Sequence, residues 1–136
     1  MKDNELYTFA EQEGIIIDIT SIPKNKSLSV CLDNKFYLAV DESVMENTSD
    51  KRVHLAHELG HCVTDSFYNL YAPLDLREKH EYRANKWAVT HLVPKDELVD
   101  LLKKGYEKWD LAEHFDVTEE FINLAVYMYF EIGIAV

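Results

Sequence analysis

The rhythm of hydrophobic and polar positions changes near residue 50. Before it, apolar residues come in short alternating or β-branched runs. After it they recur every three or four positions, the spacing of a helix face. At the start, Asp3 caps a short helix reaching about Gln12, which Gly14 closes. Ile15-Ile16-Ile17-Asp18-Ile19 is β-branched and reads as a strand. Residues 23–26 (Pro-Lys-Asn-Lys) form a loop. The runs 28–32 and 35–40 flank Asp33-Asn34, a favourable turn pair, so together they read as a hairpin. Residues 43–49 are polar and read as loop.

From Asp50 the pattern is helical. Ser49 or Asp50 caps a helix reaching about Phe67. Residues 69–75 are a loop containing Pro73, and the next helix runs from Leu76 or Arg77 to about Leu92. Pro94 fits the first turn of a helix over 95–104, which Gly105 ends. Residues 107–115 and 118–130 are two more helices. Nothing repeats at a fixed period, and no Pro/Gly/Ser-rich linker divides the chain. The expectation is one domain over residues 1–136 of class α+β: a small N-terminal antiparallel or mixed sheet followed by a helical body.

Composition agrees. The 136 residues are 47% hydrophobic and 29% charged, which excludes a disordered chain. Fourteen Lys+Arg stand against twenty-five Asp+Glu, a net charge of −11. The few basic residues do not cluster, so direct nucleic-acid binding is not expected. A basic partner, such as a DNA-binding protein, suits this charge better. The N-terminus, Met1-Lys2-Asp3-Asn4-Glu5, carries no signal peptide. No stretch reaches the ~18 apolar residues of a spanning helix; the longest, 121–136, is broken by Asn123, Glu131 and Gly133. Cys31 and Cys62 make no disulfide framework. A cytoplasmic protein with both thiols reduced, and no membrane contact, is expected.

The chemistry sits in His57-Glu58-Leu59-Gly60-His61, an H-E-x-x-H motif on a predicted helix. Positions four apart on a helix lie about 40° apart on one face, so both imidazoles can reach one metal ion. Glu58 lies about 100° round from His57 and can reach a water in the ion's open position. A zinc site of this kind needs a third protein ligand. The following helix offers Glu81, in line with Ala84 and Ala88 at i, i+3 and i+7. Small residues there let it pack closely against the helix bearing the histidines. His80 competes as third ligand but points about 100° away from Glu81.

These residues resemble the ImmA/IrrE-type metallopeptidases, whose pattern is H-E-x-G-H, then E-x-x-A-N-x-F-A, then a hydrophobic run ending in proline. Here the second element is Glu81-Tyr82-Arg83-Ala84-Asn85-Lys86-Trp87-Ala88, with Trp87 for the usual Phe. The third is His91-Leu92-Val93-Pro94. Segments 34–41 and 111–118 also look like the family, so the resemblance covers roughly residues 28 to 130. It implies a zincin-like fold with the H-E-x-x-H helix at its core. It also implies a hydrolase of the gluzincin-like, two-His one-Glu class. Several members act on transcriptional repressors of prophages and other mobile elements, and so serve as anti-repressors.

The mechanism expected of this constellation has His57, His61 and Glu81 as ligands of Zn²⁺ and Glu58 as general base. Manganese or iron also suits two histidines and one carboxylate. The substrate lies as an added strand along the hairpin edge. Asn85 either orients a ligating histidine or packs between helices. His54 reads as a rim residue, His91 and His114 as surface or packing residues, and Cys62 as a buried thiol. Tyr68, Tyr71, Tyr82, His80 and Arg83 are all candidates to stabilise the oxyanion. Residues 111–126 have the outline of a helix-turn-helix, but residues 107–136 hold seven acids and one base, Lys108, which argues against a DNA-binding regulator. The last helix reads as core, or partly as an interface for a partner or a second copy. Two functions therefore compete: a zinc-dependent endopeptidase acting on a protein, plausibly a repressor, and a metal-binding interaction protein that inactivates a repressor without cutting it. Oligomeric state is left open.

Overall fold

The computed structural model describes residues 3–22, 27–43, 47–64 and 74–134. Helix α1 (Asp3–Gln12) leads through Gly14, at φ +71°, into strand β1 (Ile16–Thr20). Strands β2 (Ser27–Leu32) and β3 (Lys35–Asp41) follow, then helices α2 (Thr48–Val63), α3 (Leu74–Leu92), α4 (Lys95–Lys103), α5 (Lys108–Phe115) and α6 (Glu119–Val126). α6 runs on into a widened π-helical stretch, Tyr127–Ile132, closed by Gly133 at φ +79°. The class is α+β, with the sheet on the N-terminal side of a helical body.

The sheet is mixed, in the order β1-β3-β2. β3 lies in the centre, parallel to β1 and antiparallel to β2. The β2–β3 hairpin turns through Asp33 and Asn34, at φ +51° and +61°. Two successive left-handed residues give the tight turn whose twist matches paired strands. One sheet face carries Leu38 and Val40, both fully buried, and Ser27 and Ser29 pair beside them on the same face. This face packs on α2.

Several element ends differ from the sequence reading. Neither Ser49 nor Asp50 caps α2. Asn47 does, its Oδ1 accepting the Asp50 N–H at 3.0 Å. Ser49 is instead drawn away, donating its hydroxyl to Asp116 Oδ1 at 2.7 Å. α2 is described to Val63, with Thr64 as its C-cap and the Thr64 hydroxyl donating to the Gly60 carbonyl at 2.7 Å; the predicted continuation to about Phe67 lies outside the described residues. α3 starts at Leu74, two residues before the earliest predicted start. The last helix is not one α-helix over 118–130. Its widened end buries two adjacent side chains, Met128 and Tyr129, and the Tyr129 hydroxyl donates to the Val93 carbonyl at 2.7 Å. Burial pushes the Tyr129 phenol up to about 12. The predicted loop 23–26 and most of the loop 69–75 lie outside the described residues.

One hydrophobic cluster runs from Leu6 in α1 to Ile134, through Leu55, Leu59, Trp87, Leu92, Leu111 and Ile122. Two contacts place the helix that matters most. Gly60 of α2 meets α3 so closely that a Cβ there would stand 2.5 Å from the Ala84 carbonyl oxygen. At the other end of α2, buried Arg52 donates from Nε to the Asp116 carbonyl at 3.1 Å and from Nη2 to the Phe115 carbonyl at 3.4 Å. The Thr48 hydroxyl also donates to the Asp116 carboxylate, at 3.2 Å. Asp116 itself is left-handed, φ +53°. The turn between α5 and α6, where a helix-turn-helix outline was read, is thus fastened to the first turn of α2.

Candidate metal centre

His57 and His61 stand one turn apart on α2, their ring centroids 4.7 Å apart and their planes 89° to each other. Their Nε2 atoms approach to 3.2 Å. α3 brings Glu81 across: Oε2 lies 3.0 Å from His57 Nε2, and Oε1 lies 3.2 Å from His61 Nε2. One donor atom from each residue can be chosen so that all lie within 4.8 Å of one another. Donors about 2.0–2.1 Å from a zinc ion, at tetrahedral corners, stand about 3.3–3.4 Å apart. The observed separations are close to those edges, and two imidazoles with a carboxylate are a donor set that zinc accepts. The three residues lie close enough to form a metal site.

The approach depends on Gly60 and on Ala84, which is fully buried. Without the Gly60–Ala84 contact, Glu81 would sit farther from the histidines. Ala84 of the small-residue stripe on α3 therefore meets α2, as expected. Asn85, one turn after Glu81, accepts a hydrogen bond from His57 Nδ1–H at 2.8 Å. In the neutral ring that bond favours the proton on Nδ1 and turns Nε2 to the cluster; in the charged ring Nε2–H donates to Glu81. Burial alone would lower the His57 pKa, but hydrogen bonding to Glu81, the nearby Glu58 and Glu81 charges, and Asn85 raise it above its ordinary 6.5.

Glu58 is buried, 6% exposed, on the side of α2 that faces the sheet. Its Oε1 accepts the Ser29 hydroxyl of β2 at 3.1 Å. Ser29 was not singled out from the sequence. The available signal was the alternation Ser27-Leu28-Ser29-Val30-Cys31, which puts small polar residues on every second position of a strand. His54 is held by Ser27, Oγ to Nδ1 2.9 Å, and lies 3.5 Å from Asp50 through Nε2. Cys62 is 3% exposed; burial chiefly, then Glu58 and Cys31, push its thiol up to about 12.

Other candidates fall elsewhere. His80 is not part of the cluster among the described residues. His91 stacks on Trp87 at 4.0 Å and bonds the Trp87 carbonyl at 2.7 Å. His114 donates to Glu97 at 3.0 Å. Both are packing or surface residues, as read. Tyr82 and Arg83 are exposed on α3, while Tyr68 and Tyr71 lie outside the described residues. Among the described residues, no helix is long and apolar enough to cross a membrane.

The family model for Peptidase_M78, described as the IrrE N-terminal-like domain, matches residues 10–127. No curated protein matches the chain. The family match spans both helices of the cluster and the sheet beside them, and it supports a metallopeptidase function. On that match and the convergence of His57, His61 and Glu81, the chain belongs to the IrrE N-terminal-like peptidase family.

Proposed function

We propose that this chain is a zinc-dependent endopeptidase that cuts a protein substrate, a DNA-binding transcriptional repressor, and so acts as an anti-repressor in the cytoplasm. The observation that carries the reading is the convergence of His57, His61 and Glu81 beside a buried Glu58. In this reading residues 1–136 work as one domain, supported by the single hydrophobic cluster from Leu6 to Ile134.

His57, His61 and Glu81 would hold the metal, which, when bound, polarises the scissile carbonyl and makes the attacking water more acidic. Asn85 fixes the His57 tautomer. Glu58 takes the proton of the attacking water and passes it to the leaving amine. Ser29 orients the Glu58 carboxylate through its hydroxyl. β2 is an edge strand and runs beside the site, so an extended substrate segment can add to it by main-chain hydrogen bonds. The net charge of −11 favours a basic substrate protein.

The test is co-expression with a repressor encoded beside the gene, with and without Glu58→Gln, alongside elemental mass spectrometry. Wild-type protein is expected to shorten the repressor. Glu58→Gln is expected to keep about one zinc per chain and to lose about 10²–10⁴-fold in cleavage. Cleavage retained in that variant would remove Glu58 from the mechanism. A full-length repressor held in a stable complex by the wild type would favour inactivation by binding instead.

A further inference from the structure

β2 and α2 run side by side in the same direction, and their side chains meet in step. Ser27 Oγ lies 2.9 Å from His54 Nδ1, and the Ser29 hydroxyl donates to Glu58 at 3.1 Å. Two residues of strand advance about 6.6 Å and four residues of helix about 6.0 Å, so the ladder continues with little slip. Extended by one more step of each element, the ladder sets Cys31 opposite Cys62. Ser27, Ser29 and Cys31 pair in turn with Val40, Leu38 and Phe36 of β3, so strand alternation keeps all three on one sheet face. The nearness has an electrostatic sign as well: Cys31 is among the groups acting on the Cys62 thiol, after burial and Glu58. Both thiols are free, Cys31 exposed and Cys62 buried.

We propose that Cys31 and Cys62 form an oxidation site that closes into a reversible disulfide when the protein meets a peroxide. The exposed Cys31 sulfur attacks one peroxide oxygen. The O–O bond breaks, one oxygen leaves as water, and the other stays on Cys31 as a sulfenic acid. The Cys62 sulfur then attacks the Cys31 sulfur and forms the S–S bond. The S–O bond breaks, and hydroxide leaves with the Cys62 proton as a second water. Two thiols thus give two electrons to one peroxide. The bond staples β2 to α2 one residue beyond His61, on the wall where Ser29 touches Glu58. A dithiol reverses it by exchange. The proposal rests on the placement of two elements and stands apart from the peptidase reading.

The test uses the purified full chain, treated with hydrogen peroxide or, in parallel, with diamide. It is then alkylated and digested with trypsin without reduction. The expected result under either oxidant is a loss of about 2 Da per chain, no alkylation, and a linked pair of peptides, residues 27–35 and 53–77. Dithiothreitol is expected to restore both thiols. Cys31→Ser, at an exposed position, is expected to fold normally by circular dichroism and to leave no link. Dimers joined through Cys31, or no link under either oxidant, whether Cys31 gains oxygen from peroxide or stays a thiol, would overturn the proposal.

Discussion

His57 uses its two ring nitrogens for different ends. Nδ1–H is committed to Asn85 at 2.8 Å, and Nε2 faces His61 and Glu81. A ring so held presents its lone pair without first choosing a tautomer. Asn85→Ala is therefore expected to weaken zinc binding about 10–100-fold while the fold persists. Competition against a chromogenic chelator measures this, and unchanged affinity would reduce Asn85 to a packing amide. Sequence alone left those two roles open for Asn85, because a helix position shows which turn a side chain occupies but not which partner it takes. His57, His61 and Glu81 were legible for the opposite reason. The i, i+4 spacing and a carboxylate in line with two alanines are geometric statements that any α-helix honours. Ser29 was not legible, since its role depends on which strand lies against α2.

At the scale of elements, the α2–α3 contact sets the site. A Cβ on Gly60 would stand 2.5 Å from the Ala84 carbonyl, and carbonyl oxygen of a helix cannot swing aside. Gly60→Ala is expected to cost about 1–3 kcal/mol in urea unfolding and to weaken zinc binding, because the helices part where Glu81 must reach across. A variant with full stability and full affinity would show that the helices can slide apart freely. The C-terminal π-helical stretch makes a second tie, from the Tyr129 hydroxyl to the Val93 carbonyl at 2.7 Å. The folded phenol holds its proton up to about 12, against 10 when unfolded. The folded state thus keeps more protons, and stability falls as pH rises from 10 towards 12. Tyr129→Phe is expected to cost about 1 kcal/mol at neutral pH and to flatten that alkaline loss, as urea midpoints at about pH 7 and 11 would show. The strands, the hairpin turn and the order of helices were readable from β-branched runs and from Asp33-Asn34. The parallel pairing of β1 with β3 was not, because it is decided by a crossing of the chain that leaves no local mark. The Asn47 cap was missed because the longer-range pull of Asp116 on Ser49 is invisible in a window of a few residues.

Across the whole molecule, an acidic chain of net charge −11 brings Glu58 and Glu81 together with two histidines in one partly buried spot. A divalent cation there is expected to stabilise the fold by mass action. Removing metal with a chelator should lower the melting temperature by about 5–15 °C, zinc should restore it and magnesium should not; no change on chelation would show that the site contributes nothing to stability. The fastening of α2 to Asp116 carries a further consequence, for the order in which the protein comes into being. Three of its hydrogen bonds join residues 64, 67 and 68 positions apart. A growing chain leaves the ribosome N-terminus first. The histidines and Glu81 therefore emerge well before the turn that anchors their helix. The three residues of the cluster are thus synthesised before the turn that holds their helix, so their mutual placement is complete only after Asp116 has emerged.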